Sequence, residues 1–200
     1  MSLIDDWADT FKEVLTSPSE FYESEQRRDG FGFPLKFALI NLVISGVIGA
    51  IAAGVLGTAT SGLAGTPAVS GPILGIVTLV VTPIFGLIGL FISAALVHVF
   101  VVLLGGESGY RETLAVIEYA SAISPITSLF SLIPVLGGLA NVLVGIYAIF
   151  IQSKGVQLFK SMSFGRALGA VLLPAVVILL LVVVLVVIFM SAAFASLAAA

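Results

Sequence analysis

The sequence predicts an all-α integral membrane protein, a bundle of five transmembrane helices with a short amphipathic cytosolic leader. Three observations lead there. Of the 200 residues, 60% are hydrophobic and 10% charged, and the mean hydropathy is +1.24, whereas soluble domains carry about 25% charged residues. The apolar residues collect in five segments long enough for the ~20 residues that a helix needs to cross a hydrocarbon core of ~30 Å. All eight Lys and Arg fall on one side once those segments are threaded through a bilayer.

The leader, residues 1–33, comes first. Leu3, Ile4, Trp7, Phe11, Val14 and Leu15 recur at helical spacing, with Asp5, Asp6, Asp9, Lys12 and Glu13 between them, which predicts an amphipathic helix. Ser17-Pro18-Ser19-Glu20 supplies a break and a new helix start, so SPSEFYESEQ is expected to form a second short helix. Residues 1–33 hold eight Asp/Glu against three Lys/Arg. That is the wrong sign for anionic lipid and for a nucleic-acid partner. The first residues are acidic where a secretory signal would be basic, so the amino terminus is expected to be retained.

The membrane domain, residues 34–200, is expected to cross at about 34–57, 72–104, 112–134, 136–153 and 166–192. The second segment exceeds what a crossing needs, since 33 residues would make a helix of about 50 Å, and Thr82-Pro83 is expected to kink or break it. Pro125 and Pro174 are expected to bend the third and fifth spans. Lys12, Arg27, Arg28, Lys36, Arg111, Lys154, Lys160 and Arg166 then share one side, while the 58–71 loop and the turn near Pro134–Gly138 carry no charge. The positive-inside rule places the amino terminus in the cytoplasm and, after five spans, the carboxyl terminus outside.

Small residues mark close helix contact. Gly46, Ala50 and Gly54, and Ser45, Gly49, Ala53 and Gly57, recur every fourth residue in the first span. Gly89 and Ser93 repeat the theme in the second, and Gly137, Asn141 and Gly145 in the fourth. Packing within the chain is the plainer reading and self-association through a small face the other. The fifth span is Val/Leu/Ile on every side and reads as peripheral and lipid-facing.

Polar residues inside the spans gather in one leaflet. Asn41, His98, Glu118, Tyr119 and Gln152 all lie in the cytoplasmic half under this threading. The short connection GGESGYRE puts His98 and Glu118 at a common depth and predicts a contact between them. An ionisable residue within a span is by default a functional candidate. At this shallow depth it also serves simply to hold two helices together or to reach the interface.

Catalytic chemistry finds little support. Gly106-Glu107-Ser108-Gly109 matches the short Gly-x-Ser-Gly pattern of rhomboid-type intramembrane proteases. There the serine is activated by a histidine on a later span, whereas the single histidine here precedes it. With one His and no Cys, no metal cluster of recognisable spacing is present, and no cofactor is expected.

Three stretches resemble the Yip (Ypt-interacting protein) family of five-span membrane proteins with a cytosolic amino terminus. SPSEFYESEQ followed by DGFGFPLKFALIN resembles its pre-span segment, with Asp29, Gly32 and Pro34 near the Asp-x-x-Gly-Pro motif. GGESGYRETLAVIEYASAISPI resembles its third-span signature, with Tyr110 and Pro125 at the aromatic and proline positions. GIYAIFIQSKGVQLFKSMSFGRAL resembles the exit of the fourth span. The short leader, the extra residue between Asp29 and Pro34, and Glu118 where glycine is usual place the resemblance closer to the prokaryotic branch. The resemblance itself leaves the function open, and the leading expectation is a non-enzymatic scaffold or adaptor that binds membrane or cytosolic proteins, or itself, within the lipid bilayer through its small-residue faces and cytosolic leader. The rival is a small permease or channel with a polar site around Glu118.

Overall fold

A computed structural model describes residues 2–25, 32–64, 71–107, 109–133 and 136–198. Among them are eight helices and no strand: α1 (Leu3–Thr16), α2 (Pro18–Glu25), α3 (Gly32–Ala64), α4 (Gly71–Leu103), α5 (Tyr110–Ala120), α6 (Ile123–Phe130), α7 (Leu136–Phe159) and α8 (Phe164–Ala198). Five stretches are long and apolar enough to cross a membrane: Gly32–Gly54, Ile73–Leu103, Tyr110–Phe130, Gly137–Phe159 and Phe164–Ser191. The chain is an integral multi-pass membrane protein. Helix α3 continues to Ala64, through residues expected to start a loop.

The leader folds as its pattern dictates. Ser2 caps α1: the Asp5 amide donates to the Ser2 hydroxyl at 3.2 Å and the Ser2 amide donates to the Asp5 carboxylate at 3.0 Å, satisfying two otherwise orphaned donors. These bonds hold the Asp5 carboxyl below the usual carboxylate range. Pro18 opens α2, where a missing N–H costs nothing. Pro34 likewise lies in the first turn of α3, which starts at Gly32.

The three span prolines behave differently. Helices α4 and α8 run on through Pro83 and Pro174, so the expected break at Pro83 is absent. The third span is divided. Pro125 has no N–H and its ring crowds the carbonyl four residues back, that of Ser121. The Ser124 amide donates to that carbonyl instead at 2.9 Å, and Ser121 and Ala122 tighten into bonds reaching three residues back. Helices α5 and α6 meet at this tightened turn.

Helices α3 and α4 pair closely. A Cβ on Gly46 would lie 3.4 Å from the Leu79 carbonyl oxygen, one on Gly49 3.1 Å from the Thr78 methyl, and one on Gly75 3.0 Å from the Ala50 carbonyl oxygen. The small face of the first span is therefore occupied inside the chain. Gly89, Gly138 and Gly145 would meet nothing within 4 Å.

The core sits at one end of the bundle. Val14, Phe21 and Tyr22 of the leader share it with Phe37, Val97, Val101, Val116, Tyr119, Ile151 and Val156. Helix α5 is buried at every position from Thr113 to Ala120. On α8, by contrast, every described side chain from Ala175 to Ser191 is exposed, as suits a helix bathed in lipid. Two tight turns fix the same end. Helix α4 closes on Gly105 (φ +80°), with the Gly106 amide reaching back to Val101 and that of Gly105 to Val102, the Schellman pattern. Helix α7 closes the same way on Ser161 (φ +51°).

Candidate functional site

The polar residues predicted to form one layer are distributed among separate contacts, most of which tie the leader or the connections to the spans. The apolar stripe of α1 turns Trp7 toward α3, where its indole N–H donates to the Asn41 side-chain oxygen at 3.0 Å. The Asn41 amide then donates to the Ser121 hydroxyl at 3.2 Å. Asn41 is fully buried, so this chain joins α1, α3 and the tightened turn of the third span in a low-dielectric setting where polar bonds are strong.

Two tyrosines fasten the two ends of the leader. The Tyr147 hydroxyl of α7 donates to the Leu15 carbonyl at 2.6 Å, capping one of the carbonyls that the last turn of α1 leaves open. The Tyr119 hydroxyl donates to the Glu25 carboxylate at the end of α2.

Around Tyr119 the rings of Phe21 (4.8 Å between centroids), Phe37 (5.7 Å) and Tyr22 (6.4 Å) pack mostly edge to face, the geometry that aromatic quadrupoles favour. Tyr22 is wedged between α5 and α7, its hydroxyl donating to the Val116 carbonyl at 3.4 Å. Burial pushes its phenol above the ordinary tyrosine range, so it stays a neutral donor. Gly155 makes the wedge fit: a Cβ there would lie 2.6 Å from Val116 and 2.8 Å from the Tyr22 ring.

His98 and Glu118 do not form the predicted pair. The His98 imidazole Nδ1 is 3.0 Å from the Thr113 hydroxyl, and its ring meets that of Tyr110 edge-on at 5.6 Å. The Tyr110 hydroxyl donates to the Phe91 carbonyl at 3.1 Å. Thr113 and Glu118 are five residues apart, about 140° around a helix of 3.6 residues per turn, so a histidine meeting one is turned from the other. Those five residues also span about 7.5 Å along the helix axis, so the observed contact differs from the expected one in height as well as in direction. Glu118 is 1% exposed, and neither carboxylate oxygen has a hydrogen-bond partner among the described residues.

Gln152 lines a groove between α4, α7 and α8 instead of joining the leader contacts. Of the family-motif positions, Gly32 and Pro34 begin α3, Tyr110 begins α5, and Pro125 is buried in the first turn of α6. Asp29 lies outside the described residues, as does Ser108 of the protease-like pattern. Among the described residues no group of three or more His, Cys, Asp or Glu could hold a metal ion.

Two contributors carried no distinctive sequence signal. Lys160, 1% exposed, pairs with Glu112 at 3.0 Å and also donates to the Gly109 carbonyl. It binds the α4–α5 connection to the end of α7. Tyr147 sat in an apolar run where its ring counted only as hydrophobic.

The site is thus an amphipathic leader pinned to a bundle, with its inner face hydrogen-bonded and its outer face acidic. Neither a curated protein nor a solved structure matches the chain. The family model of the Yip1 domain matches residues 12–195, taking in part of the leader and all five spans. The chain belongs to the Yip1 family.

Proposed function

We propose that this protein is a non-enzymatic membrane scaffold or adaptor that presents its leader to a protein partner with a basic surface. The carrying observation is the use made of the polar residues. Trp7–Asn41–Ser121, Tyr147–Leu15 and Tyr119–Glu25 hold the leader in place, while Asp5, Asp9, Glu13, Glu20 and Glu23 remain exposed. A mounted row of carboxylates steers and selects a basic partner through complementary charge. In this reading residues 1–33 form the presenting unit and residues 34–200 the membrane domain.

Charge reversal of Asp9 and Glu13 to lysine is expected to remove proteins crosslinked to the wild type in native membranes, with no change in thermal stability. An unchanged set of crosslinked proteins would reject the acidic face as the docking surface. In the same reading the amino terminus is cytoplasmic, which the one-sided basic residues support. A single cysteine at Ser161 should then resist an impermeant reagent outside intact cells, while one at Thr66 should react.

Glu118 favours a second reading, a small permease, because a buried carboxylate without hydrogen-bond partners requires an explanation. Liposomes containing the purified protein are expected to show no proton-driven solute uptake. Uptake that is abolished by Glu118→Gln would reverse the order of the two readings.

A further inference from the structure

We propose that the flank of the bundle formed by α6 and α7, on the outer side of the leader, is a surface for a locally thinned bilayer. One hydrogen bond sets a common level for two spans. The Asn41 amide of α3 donates to the Ser121 hydroxyl at the foot of α6, so lengths on both can be counted from the same height. Beyond Asn41, α3 continues to Ala64, a rise of about 35 Å. Beyond Ser121, the third span ends in the turn at Ile133, a rise of only about 18 Å. Helix α7 returns from Leu136 to Tyr147 over about 17 Å. The α6–α7 hairpin therefore stops well short of α3, the helix against which α6 packs.

The leader sets the inner edge of this flank. Trp7 donates to Asn41, and the Leu15 carbonyl accepts from the Tyr147 hydroxyl. Both ends of α1 therefore lie near the common level, within about 5 Å, one helical pitch, once the reach of the two rings is allowed for. Asp5, Asp9 and Glu13 are exposed on α1, and charged side chains are not left facing hydrocarbon. On this flank the hydrocarbon starts at α1 and not at the inner ends of the spans.

The α6–α7 turn sets the outer edge. Leu129 and Ile133 are about half exposed, so no protein roofs the turn, and irregular backbone facing lipid is not tolerated inside the hydrocarbon. The turn has to reach the outer headgroups. Between the two edges, Leu143 and Leu139 stand one and two turns beyond Tyr147 on one face of α7, 69% and 66% exposed. This apolar band is about 18–23 Å tall, against the ~30 Å of an ordinary hydrocarbon core. A short apolar stretch draws the bilayer thin around it. Helix α8 exposes every described side chain from Ala175 to Ser191 and continues to Ala198, which suits the full thickness. The bilayer is thus expected to thin from the α8 side of the molecule to the α6–α7 side.

The test is a depth measurement on the full-length protein in dioleoylphosphatidylcholine bilayers. The chain has no cysteine, so a nitroxide can be attached at one position at a time through Asp9→Cys, Leu143→Cys, Ile133→Cys and Val183→Cys. Collisions with a water-soluble nickel chelate and with dissolved oxygen then report whether each label sits in water or in hydrocarbon. Val183, midway along the exposed stretch of α8, is the hydrocarbon reference. Labels at Asp9 and Ile133 are expected to meet nickel several-fold more often than the label at Val183. The label at Leu143, between them, is expected to match Val183, with oxygen prevailing. That pattern confines the hydrocarbon to the short band. If Ile133→Cys fails to fold, Leu129→Cys, exposed on the same turn of the hairpin, carries the result. An oxygen-rich label at Ile133 would place the turn inside the hydrocarbon, an oxygen-rich label at Asp9 would immerse the leader, and a nickel-rich label at Leu143 would show a water-filled crevice. Each of these would overturn the proposal, and none of the readings depends on a protein partner.

Discussion

Tyr119→Ala is expected to destabilise the protein by about 3–5 kcal/mol, the range for removing a fully buried aromatic ring. Tyr119 has no exposed surface and stands where three elements meet, against Phe21 and Tyr22 of α2 and Phe37 of α3. The alanine variant loses those contacts, leaves a cavity and frees the Glu25 carboxylate from its tyrosine donor. Tyr119→Phe keeps the ring and removes the hydroxyl with its bond to Glu25, a change of about 1 kcal/mol. Thermal unfolding in detergent, read beside protease cleavage after Arg27 or Arg28, separates the two. The alanine variant should melt far earlier and release the leader first. Equal melting of the two variants would show that the ring cluster does not hold the leader.

Gly155→Leu is expected to cost about 3 kcal/mol, the upper part of the range for overpacking a filled core. The first added carbon already falls within 2.6–2.9 Å of Val116 and Tyr22, and the rest of the leucine has to enter the space that the Tyr22 ring holds. The control is Gly145→Ala on the same helix, where a Cβ meets nothing within 4 Å. There a helical alanine in place of glycine should stabilise by about 0.5–1 kcal/mol. The same melting assay distinguishes them by the sign of the change, and equal effects at the two positions would refute the wedge of Tyr22 between α5 and α7.

Hydropathy carried most of the fold. The five crossings were legible because 20-residue apolar runs have few alternatives in a chain of this composition. The divided third span was legible at Pro125, where a missing donor and a crowded carbonyl act locally. Pro83 obeys the same local chemistry, yet α4 runs on, because close packing against α3 at Gly46 supports the helix there. The distances of the polar residues from the span ends were readable in the sequence. Their partners were not, since azimuth around a helix depends on which helices stand beside it. His98 shows this plainly: it meets Thr113, five residues before Glu118 on α5. Trp7 and Tyr147 looked like apolar bulk until the leader was seen against α3 and α7.

The leader contacts also impose an order on biosynthesis. Trp7 and Asn41 are separated by 34 positions, Tyr22 and Val116 by 94, and Leu15 and Tyr147 by 132. The leader leaves the ribosome before the spans, yet its last fastening cannot form until Tyr147 has been made. Loops of that length close slowly, and synthesis at about 5–20 residues per second leaves Trp7, Phe11 and Val14 waiting for several seconds without their final neighbours. During that interval the amphipathic face has the bilayer surface as its natural shelter, and docking of the leader becomes the closing step by which a completed chain differs from a truncated one.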